Sequence, residues 1–211
     1  MTNVLYDKEY YRSHTEFQAR SDCDSIPSFK WIKDNLSINK GNVVLDAGCG
    51  TGHLLNYCCD KLAKGYGTDI SNDAIAIARS KYPHLDFSRQ DIRKLSFPDE
   101  FFDRIICFNV IEHIDGQDRA MIELKRVLKK DGIIIMGTLD RDSLSWRLFS
   151  IFYGDKTHVK EFNFSEFGDF ISEYFTVVAT KRSSCIARFH PIVNSILRSF
   201  LKGDVLVKAV K

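Results

Sequence analysis

A doubly wound α/β fold with a mostly parallel sheet is what this sequence predicts, on three observations. Short β-branched runs alternate with amphipathic stretches through the middle of the chain, the pattern of parallel strands with helices on both faces. A glycine-rich turn, Gly48 to Gly52, separates the first such run from the first helix, and α/β sheets bind ligands beyond the carboxyl ends of their strands. The 211 residues, 44% hydrophobic and 27% charged, suffice for one domain with a substantial core, and two full domains would be a squeeze.

The elements follow in order. Residues 42–46 read as a buried strand, 53–62 as a helix, 65–70 as a second strand and 73–82 as a second helix. Strands are expected at 85–88, 102–108 and 133–138, with a helix over 118–130 between the last two. Two segments break the rhythm. Residues 1–40 carry scattered aromatics (Tyr6, Tyr10, Tyr11, Phe17, Phe29, Trp31) that suit a leading helical lid. Residues 140–172 are rich in bulky apolar groups and read as an insertion after the fifth strand, ending in a helix over 165–171. A late strand over 175–180 and a basic amphipathic helix over 192–201 complete the expectation. The chain is thus one domain, 1–211: a lid (1–40), a core (41–139) and a final part (140–211) holding the insertion, late strands and the basic C-terminal helix.

Composition excludes several function classes. Only 12 Gly and 4 Pro argue against a fibrous or disordered chain. A net charge of +2 is too near neutrality for a general polyanion-binding surface, although the tail from Lys181 onward carries +6 and the rest −4. The N-terminus lacks the basic start and apolar run of a signal peptide, and no stretch reaches the roughly 18 apolar residues of a membrane span. A cytoplasmic protein is the expectation. The six cysteines include no C-x-x-C pair, so they read as buried thiols, neither zinc ligands nor a disulfide framework.

Val44-Leu45-Asp46-Ala47-Gly48-Cys49-Gly50-Thr51-Gly52 is the most informative stretch. A strand, a G-x-G-x-G turn and a helix let backbone approach a ligand without Cβ obstruction. Dinucleotide-binding loops look similar, but their G-x-G-x-x-G would want glycine where His53 stands. Asp46, closing the strand, would repel a pyrophosphate and attract an ammonium group. A cationic nucleoside such as S-adenosylmethionine fits that sign. Asp69, 21 residues after Gly48, ends the second strand, where an acid accepts ribose hydroxyls. Asp91 follows the third strand, within reach of an adenine amino group. A lone aspartate is more often a turn or cap residue; three at successive strand ends form a rim.

With these residues in view, the sequence resembles the class I S-adenosylmethionine-dependent methyltransferases, and more narrowly the small-molecule branch that includes ubiquinone-biosynthesis O-methyltransferases. The resemblance covers about residues 40–140, through Val44 to Gly52, Gly67 to Ser71, Asp91-Ile92 with Leu95 to Pro98, Phe102 to Ile106, Asn109-Val110-Ile111-Glu112-His113 and Leu128 to Gly132. It implies a Rossmann-like class I methyltransferase fold and S-adenosyl-L-methionine as cofactor. By it, Asp46, Gly48, Cys49, Gly50 and Gly52 would border the methionine part, Asp69 would bind ribose with Ile70 beside the adenine, Asp91 and Ile92 would meet the adenine, and the Asn109 backbone would approach the amino group. Lys130-Asp131-Gly132 departs mildly from the family's usual turn and touches no binding residue.

Glu112-His113 lies past the fourth strand, on the acceptor side of the expected site. Relatives place an acid-histidine pair there, some for metal binding and some as a base. Glu112 as a helix cap and His113 as a packed lid residue is the plainer alternative. His113 is the candidate general base. His158, in Thr157-His158-Val159-Lys160-Glu161-Phe162, resembles a family segment bordering the acceptor pocket; it orients substrate or is a hydrogen-bonded loop histidine. No metal is assigned: metal-using relatives carry a second glutamate where this chain has Asn109, and although His158 could complete a site, three scattered candidates do not establish one. The expected function is methyl transfer to a small-molecule acceptor, at a hydroxyl oxygen. The alternatives are N- or C-methylation of a lipid-like or macromolecular acceptor, and a nucleotide-binding α/β protein without methyl transfer. Nucleic acid is not an expected partner: Asn109-Val110-Ile111 is not the Asn-Pro-Pro-aromatic element that holds a flipped base, and no Pro-Cys pair offers a nucleophile for pyrimidine carbon. The apolar insertion and basic helix leave a weak peripheral contact with an anionic membrane as a second idea.

Overall fold

The computed structural model describes residues 23–59, 63–143, 158–184 and 202–211. One seven-stranded sheet forms its centre, in the order β3-β2-β1-β4-β5-β7-β6. The strands are β1 (Val43–Ala47), β2 (Lys64–Asp69), β3 (Asp86–Arg89), β4 (Phe102–Phe108), β5 (Leu128–Leu139), β6 (Thr176–Ser184) and β7 (Lys202–Val210). β1 to β5 pair in parallel, and β7 lies antiparallel between β5 and β6. The described helices are α1 (Pro27–Leu36), α2 (His53–Cys58), α3 (Asn72–Lys81), α4 (Gln117–Val127) and α5 (Phe164–Ser172).

The sheet is apolar on both faces because successive residues point opposite ways. Val44, Ile106, Ile135 and Leu206 pack with Phe29, Ile32 and Leu36 of α1, Leu55 of α2 and Ile75 of α3. Their neighbours Leu45, Ile105, Ile134, Val205 and Val207 pack on the other face against Met121 and Leu124 of α4 and Phe167 and Ile171 of α5. Local signals set the helix ends. Pro27 occupies the first turn of α1, which stops at Ser37 in the left-handed region. The Ser71 side chain accepts from the Ala74 amide at the start of α3. Asn163 and Glu166 form a reciprocal capping box on α5.

Polar ties fix the strands that carry the site. Asp103 accepts from the Val43 amide at 2.8 Å and from Lys129 Nζ at 2.8 Å, joining β1, β4 and β5. Arg104 donates to the Leu36 carbonyl at 2.7 Å and holds the end of α1 to β4.

Several expectations change. The helix expected over 118–130 stops at Val127, because Leu128, fully buried, pairs with Phe102 as the first residue of β5. The helix expected over 53–62 ends at Cys58. The last strand was not foreseen: residues 203–207 are buried on both faces of the sheet, so their apolar run lacks the alternation that marks an exposed strand. The described part of the 1–40 segment, α1, packs on the sheet rather than over its edge; residues 1–22 lie outside the described residues, as do 144–157 and the basic stretch 192–201. Among the described residues, no helix is long and apolar enough to cross a membrane.

β7 carries one buried acid. Burial pushes the Asp204 carboxyl from its ordinary 3.8 up to about 6, with the Ser28 side chain opposing the shift. The fold therefore holds this proton more tightly than the unfolded chain does. The group's contribution to stability is full below about pH 4 and is lost as pH rises through about 6. Asp204→Asn, neutral throughout, should stabilise the fold at pH 8 by on the order of 1–3 kcal/mol and change it little at pH 4. Calorimetric unfolding at both pH values checks this; an equal shift at both would exclude charge as the cause.

Candidate active site

The site begins where β1 and β2 end side by side, with Asp46 opposite Gly67 and Ala47 opposite Thr68. The Thr68 carbonyl accepts from the Gly48 amide at 2.7 Å and the Cys49 amide at 2.9 Å, which turns the chain sharply away from β1. Gly48, Gly50 and Gly52 all adopt positive φ, the region that L side chains rarely tolerate. At Gly48 a Cβ would collide with the Val110 side chain, and at Gly52 it would come within 2.6 Å of Phe87. At Gly50 it would meet nothing within 4 Å. The loop is therefore packed at its two ends and open at its middle.

Asp69 ends β2 and ties this loop to the next helix. One carboxylate oxygen accepts from the Gly50 amide at 2.9 Å, and the other from the Ser71 amide at 2.9 Å. Burial pushes its carboxyl up, while the amides of Ser71, Gly50 and Ile70 pull it down. Asp46 is 2% exposed, and its Oδ2 has no hydrogen-bond partner. Burial, then the charge of Asp69, pushes the Asp46 carboxyl up to about 7, against a hydrogen bond from the Leu55 backbone. An orphaned buried carboxylate oxygen beside a glycine loop is a receptor for positive charge.

The remaining expected residues divide. Ile70 is 61% exposed at the end of β2, an apolar surface beside the Asp69 rim. Ile92 is buried after β3. Asp91 does not stand open. Arg93 holds it in a two-pronged ion pair at 2.6–3.1 Å and also donates its backbone amide to it, which lowers its carboxyl pKa. Arg93 further reaches the Asp115 carbonyl at 3.1 Å. Cys49 is buried, its thiol pushed up first by burial and then by Asp46 and Asp69. Asn109, just past β4, has φ 54° and donates its amide to the Gly137 carbonyl at 2.8 Å. This bend brings Val110 against Gly48, so the end of β4 closes on the glycine loop.

A 3₁₀ turn, Ile111–His113, follows. Glu112 is 1% exposed. Its backbone carbonyl accepts from the Val159 amide at 2.8 Å and the Lys160 amide at 3.2 Å, pinning the 158–160 segment to the turn. Consequently the His113 and His158 rings meet edge to face, with centroids 4.7 Å apart. His158, its side chain 5% exposed, also bonds Glu161 Oε1 through Nδ1 at 3.3 Å. Glu112, His113 and His158 each offer a ligand atom, all within 4.8 Å of one another. Sequence reasoning named Glu112 and His113 as a pair that His158 could complete; that the three do meet is a tertiary fact. It missed Arg93 and Glu161, although an acid and a base two residues apart, and a histidine and an acid three apart, were available as signals. It also missed the chain in which His53 bridges Cys23 Sγ and the Tyr82 hydroxyl, each at 3.0 Å.

Known proteins share features with this chain at the level of domain and fold. Residues 45–136 match the family model described as "Methyltransferase domain". A probable S-adenosylmethionine-dependent methyltransferase of Mycolicibacterium smegmatis is 32% identical over 105 residues, covering 50% of this chain and 41% of that protein. A ubiquinone biosynthesis O-methyltransferase of Glaesserella parasuis is 31% identical over 130 residues, covering 57% and 55%. The chain thus spans about half the length of these relatives. A solved methyltransferase structure from Thermotoga maritima, described as a possible histamine N-methyltransferase, superposes with TM-score 0.73 over the whole of both chains at 21% identity. The Haloferax volcanii complex of the Trm112 activator with a methyltransferase superposes with TM-score 0.80 at 15% identity, covering 96% of each chain. Those two likenesses speak for the fold; the matched domain and the relatives make residues 45–136 of this chain similar to the S-adenosylmethionine-dependent methyltransferases, whose cofactor is S-adenosyl-L-methionine.

Proposed function

We propose that this chain transfers a methyl group from S-adenosylmethionine to a hydroxyl oxygen of a small-molecule acceptor. One observation carries the reading: the glycine loop, flanked by the Asp46 and Asp69 carboxylates, is joined through Val110 to a turn where Glu112, His113 and His158 converge. A receptor for positive charge and a cluster able to handle a proton thus stand on one edge of the sheet.

The residues present fit the cofactor. Asp46 Oδ2 lacks a protein partner and suits an ammonium group, the Gly50 position is open, and the Asp69 carboxylate keeps acceptor capacity beyond its backbone amides for a ribose hydroxyl. When bound, S-adenosylmethionine supplies a methyl group already activated by its sulfonium. The protein is left with positioning and the exclusion of water. Asp91, held by Arg93 and next to buried Ile92, would offer its remaining acceptor capacity to the adenine. On the acceptor side, the Glu112–His113–His158 group receives the hydroxyl proton. Oxygen as the acceptor atom is supported by this proton-handling cluster and by relatives named as O-methyltransferases, the ubiquinone-biosynthesis enzyme and a malonyl-[acyl-carrier protein] O-methyltransferase of Pectobacterium atrosepticum.

Three measurements test this. Because the Asp46 carboxyl sits near 7 in the free protein and a cation prefers it ionised, S-adenosylmethionine affinity should fall as pH drops below 7, by about tenfold per unit at most, with a proton released on binding. Calorimetric titration between pH 6 and pH 8 in two buffers reads both effects, and Asp46→Asn should flatten them. Asp69→Ala should weaken cofactor binding by about 1–3 kcal/mol through orphaned ribose hydroxyls, and lower the melting temperature through the orphaned Gly50 and Ser71 amides; unchanged affinity would refute its role. His113→Ala should cut turnover by about 10²–10⁴-fold with donor affinity little changed. An acceptor screen read by S-adenosylhomocysteine release supplies the substrate for that assay, and full activity in the variant would remove His113 from the reaction.

A further inference from the structure

We infer that Asp204, Ser183 and Ser28 form a subsite for a protonated amine, so that the methyl acceptor is a small hydroxy compound bearing an ammonium group. This deepens the reading above and rests on it for the amine's belonging to an acceptor, though not for its binding.

Topology puts the cluster at the edge where the glycine loop lies. β7 runs antiparallel to β5, so its start stands where β1, β2, β4 and β5 end. Asp204 is opposite Leu139 on β5 and Ser183 on β6. Residues directly opposed in an antiparallel pair share one face, with Cβ atoms roughly 4.5–5.5 Å apart. Leu206, the next residue of β7 on that face, packs in one cluster with Phe29 and Phe108, so the face is the one that α1 covers. Ser28 of α1 agrees with this by donating its hydroxyl to the Asp204 carboxyl. The ring of the following residue, Phe29, meets Phe108 of β4 edge to face at 6.0 Å and lies 6.3 Å from the ring of His53, which directly follows the glycine loop. The first turn of α1 thus reaches from that loop's helix to Asp204.

The chain leaves this cluster incomplete. Ser183 is 1% exposed, and its Oγ has no hydrogen-bond partner among the described residues, which is rare for a buried polar atom. Asp204 is 7% exposed. Burial pushes its carboxyl up, and the Ser28 hydroxyl is what opposes the shift. Arg182, the neighbouring cation on β6, turns to the other face, where it pairs with Asp140 at 3.3 Å and lies over the Phe164 ring. A buried carboxylate without a counter-charge costs stability, and costs of this kind persist where function needs the group. An ammonium group supplies both missing parts, a charge for Asp204 and N–H donors for its carboxylate and for Ser183 Oγ. A neutral hydroxyl would serve Ser183 and leave the charge unmatched. A carboxylate or phosphate would be repelled.

The test is calorimetric titration of the full chain with S-adenosylhomocysteine present, so that binding is read without methyl transfer. The probes are hydroxy compounds in matched sets that differ only at the end remote from the hydroxyl. Tyramine, 4-propylphenol and 3-(4-hydroxyphenyl)propionate make one set; 3-aminopropan-1-ol, butan-1-ol and 4-hydroxybutanoate make another. The ammonium form should bind at least about tenfold more tightly than the neutral form in one set or both, with the carboxylate weakest. Asp204→Asn should erase that preference. Ser183→Ala should weaken the ammonium form by about 3–10-fold, and it is the readout should Asp204→Asn not fold. Both variants should bind S-adenosylmethionine as the wild type does. Equal binding of the three forms in every set, or a preference that survives both substitutions, overturns the subsite. Donor binding and methyl transfer to a neutral hydroxy compound, with no gain from the ammonium group, would sink the subsite and leave the transferase reading intact. An ammonium preference lost in Asp204→Asn, in a chain that binds no donor, would do the reverse.

Discussion

Asp69 holds the glycine loop to the strand end and helix that flank it. Its two oxygens take the Gly50 amide on one side and the Ser71 amide on the other, both at 2.9 Å. One carboxylate thereby joins the middle of the glycine loop to the first turn of α3. Charge-assisted bonds of this kind are roughly twice as strong as neutral ones, and the loop needs them. Its three positive-φ glycines gain entropy on unfolding that other residues would not. Without Asp69, the open position at Gly50 would have no fixed relation to the strand ends that frame it.

The parallel sheet then determines which groups share the pocket. Because β1, β2 and β4 run the same way, Asp46, Asp69 and Asn109 emerge at one edge. Burying carboxylates there is costly: burial first, and then the charge of Asp69, pushes the Asp46 carboxyl up to about 7. Such a site is poorly satisfied when nothing cationic is present, and a positively charged ligand relieves it. Arg93 deals with the third acid differently. By pairing with Asp91 and reaching the Asp115 carbonyl, it straps the segment after β3 to the loop after the 3₁₀ turn.

Much of this was legible in the sequence, where local chemistry and tertiary need coincide. The Asp46 to Gly52 loop could be read because glycine spacing reports backbone shape directly, and β4 was read at its observed bounds because its β-branched run is flanked by polar breaks. Asp69 was found at its strand end, yet its bonds to Gly50 and Ser71 were not, since a carboxylate's partners depend on loops folded back upon it. β7 escaped because a strand buried on both faces resembles any short apolar run. Leu128 was placed in a helix by its periodicity and moved into β5 by its pairing with Phe102, a long-range contact that local propensity does not encode.

The acceptor side shows the same limit from the other direction. Glu112 and His113 are adjacent in sequence, so their nearness carried little information by itself. What gives it meaning is His158, brought back across 45 residues and pinned by two amides on the Glu112 carbonyl. A histidine packing by chance against another would need no such anchoring, nor a carboxylate behind its far nitrogen. Here the backbone of 158–160 is bonded to the very residue whose side chain completes the cluster. The position of His158 is thus set by the Glu112 carbonyl, while the carboxylate of the same residue lies within 4.8 Å of its ligand atom. A change in the turn after β4 would disturb all three side chains at once, so the cluster stands or falls as a unit.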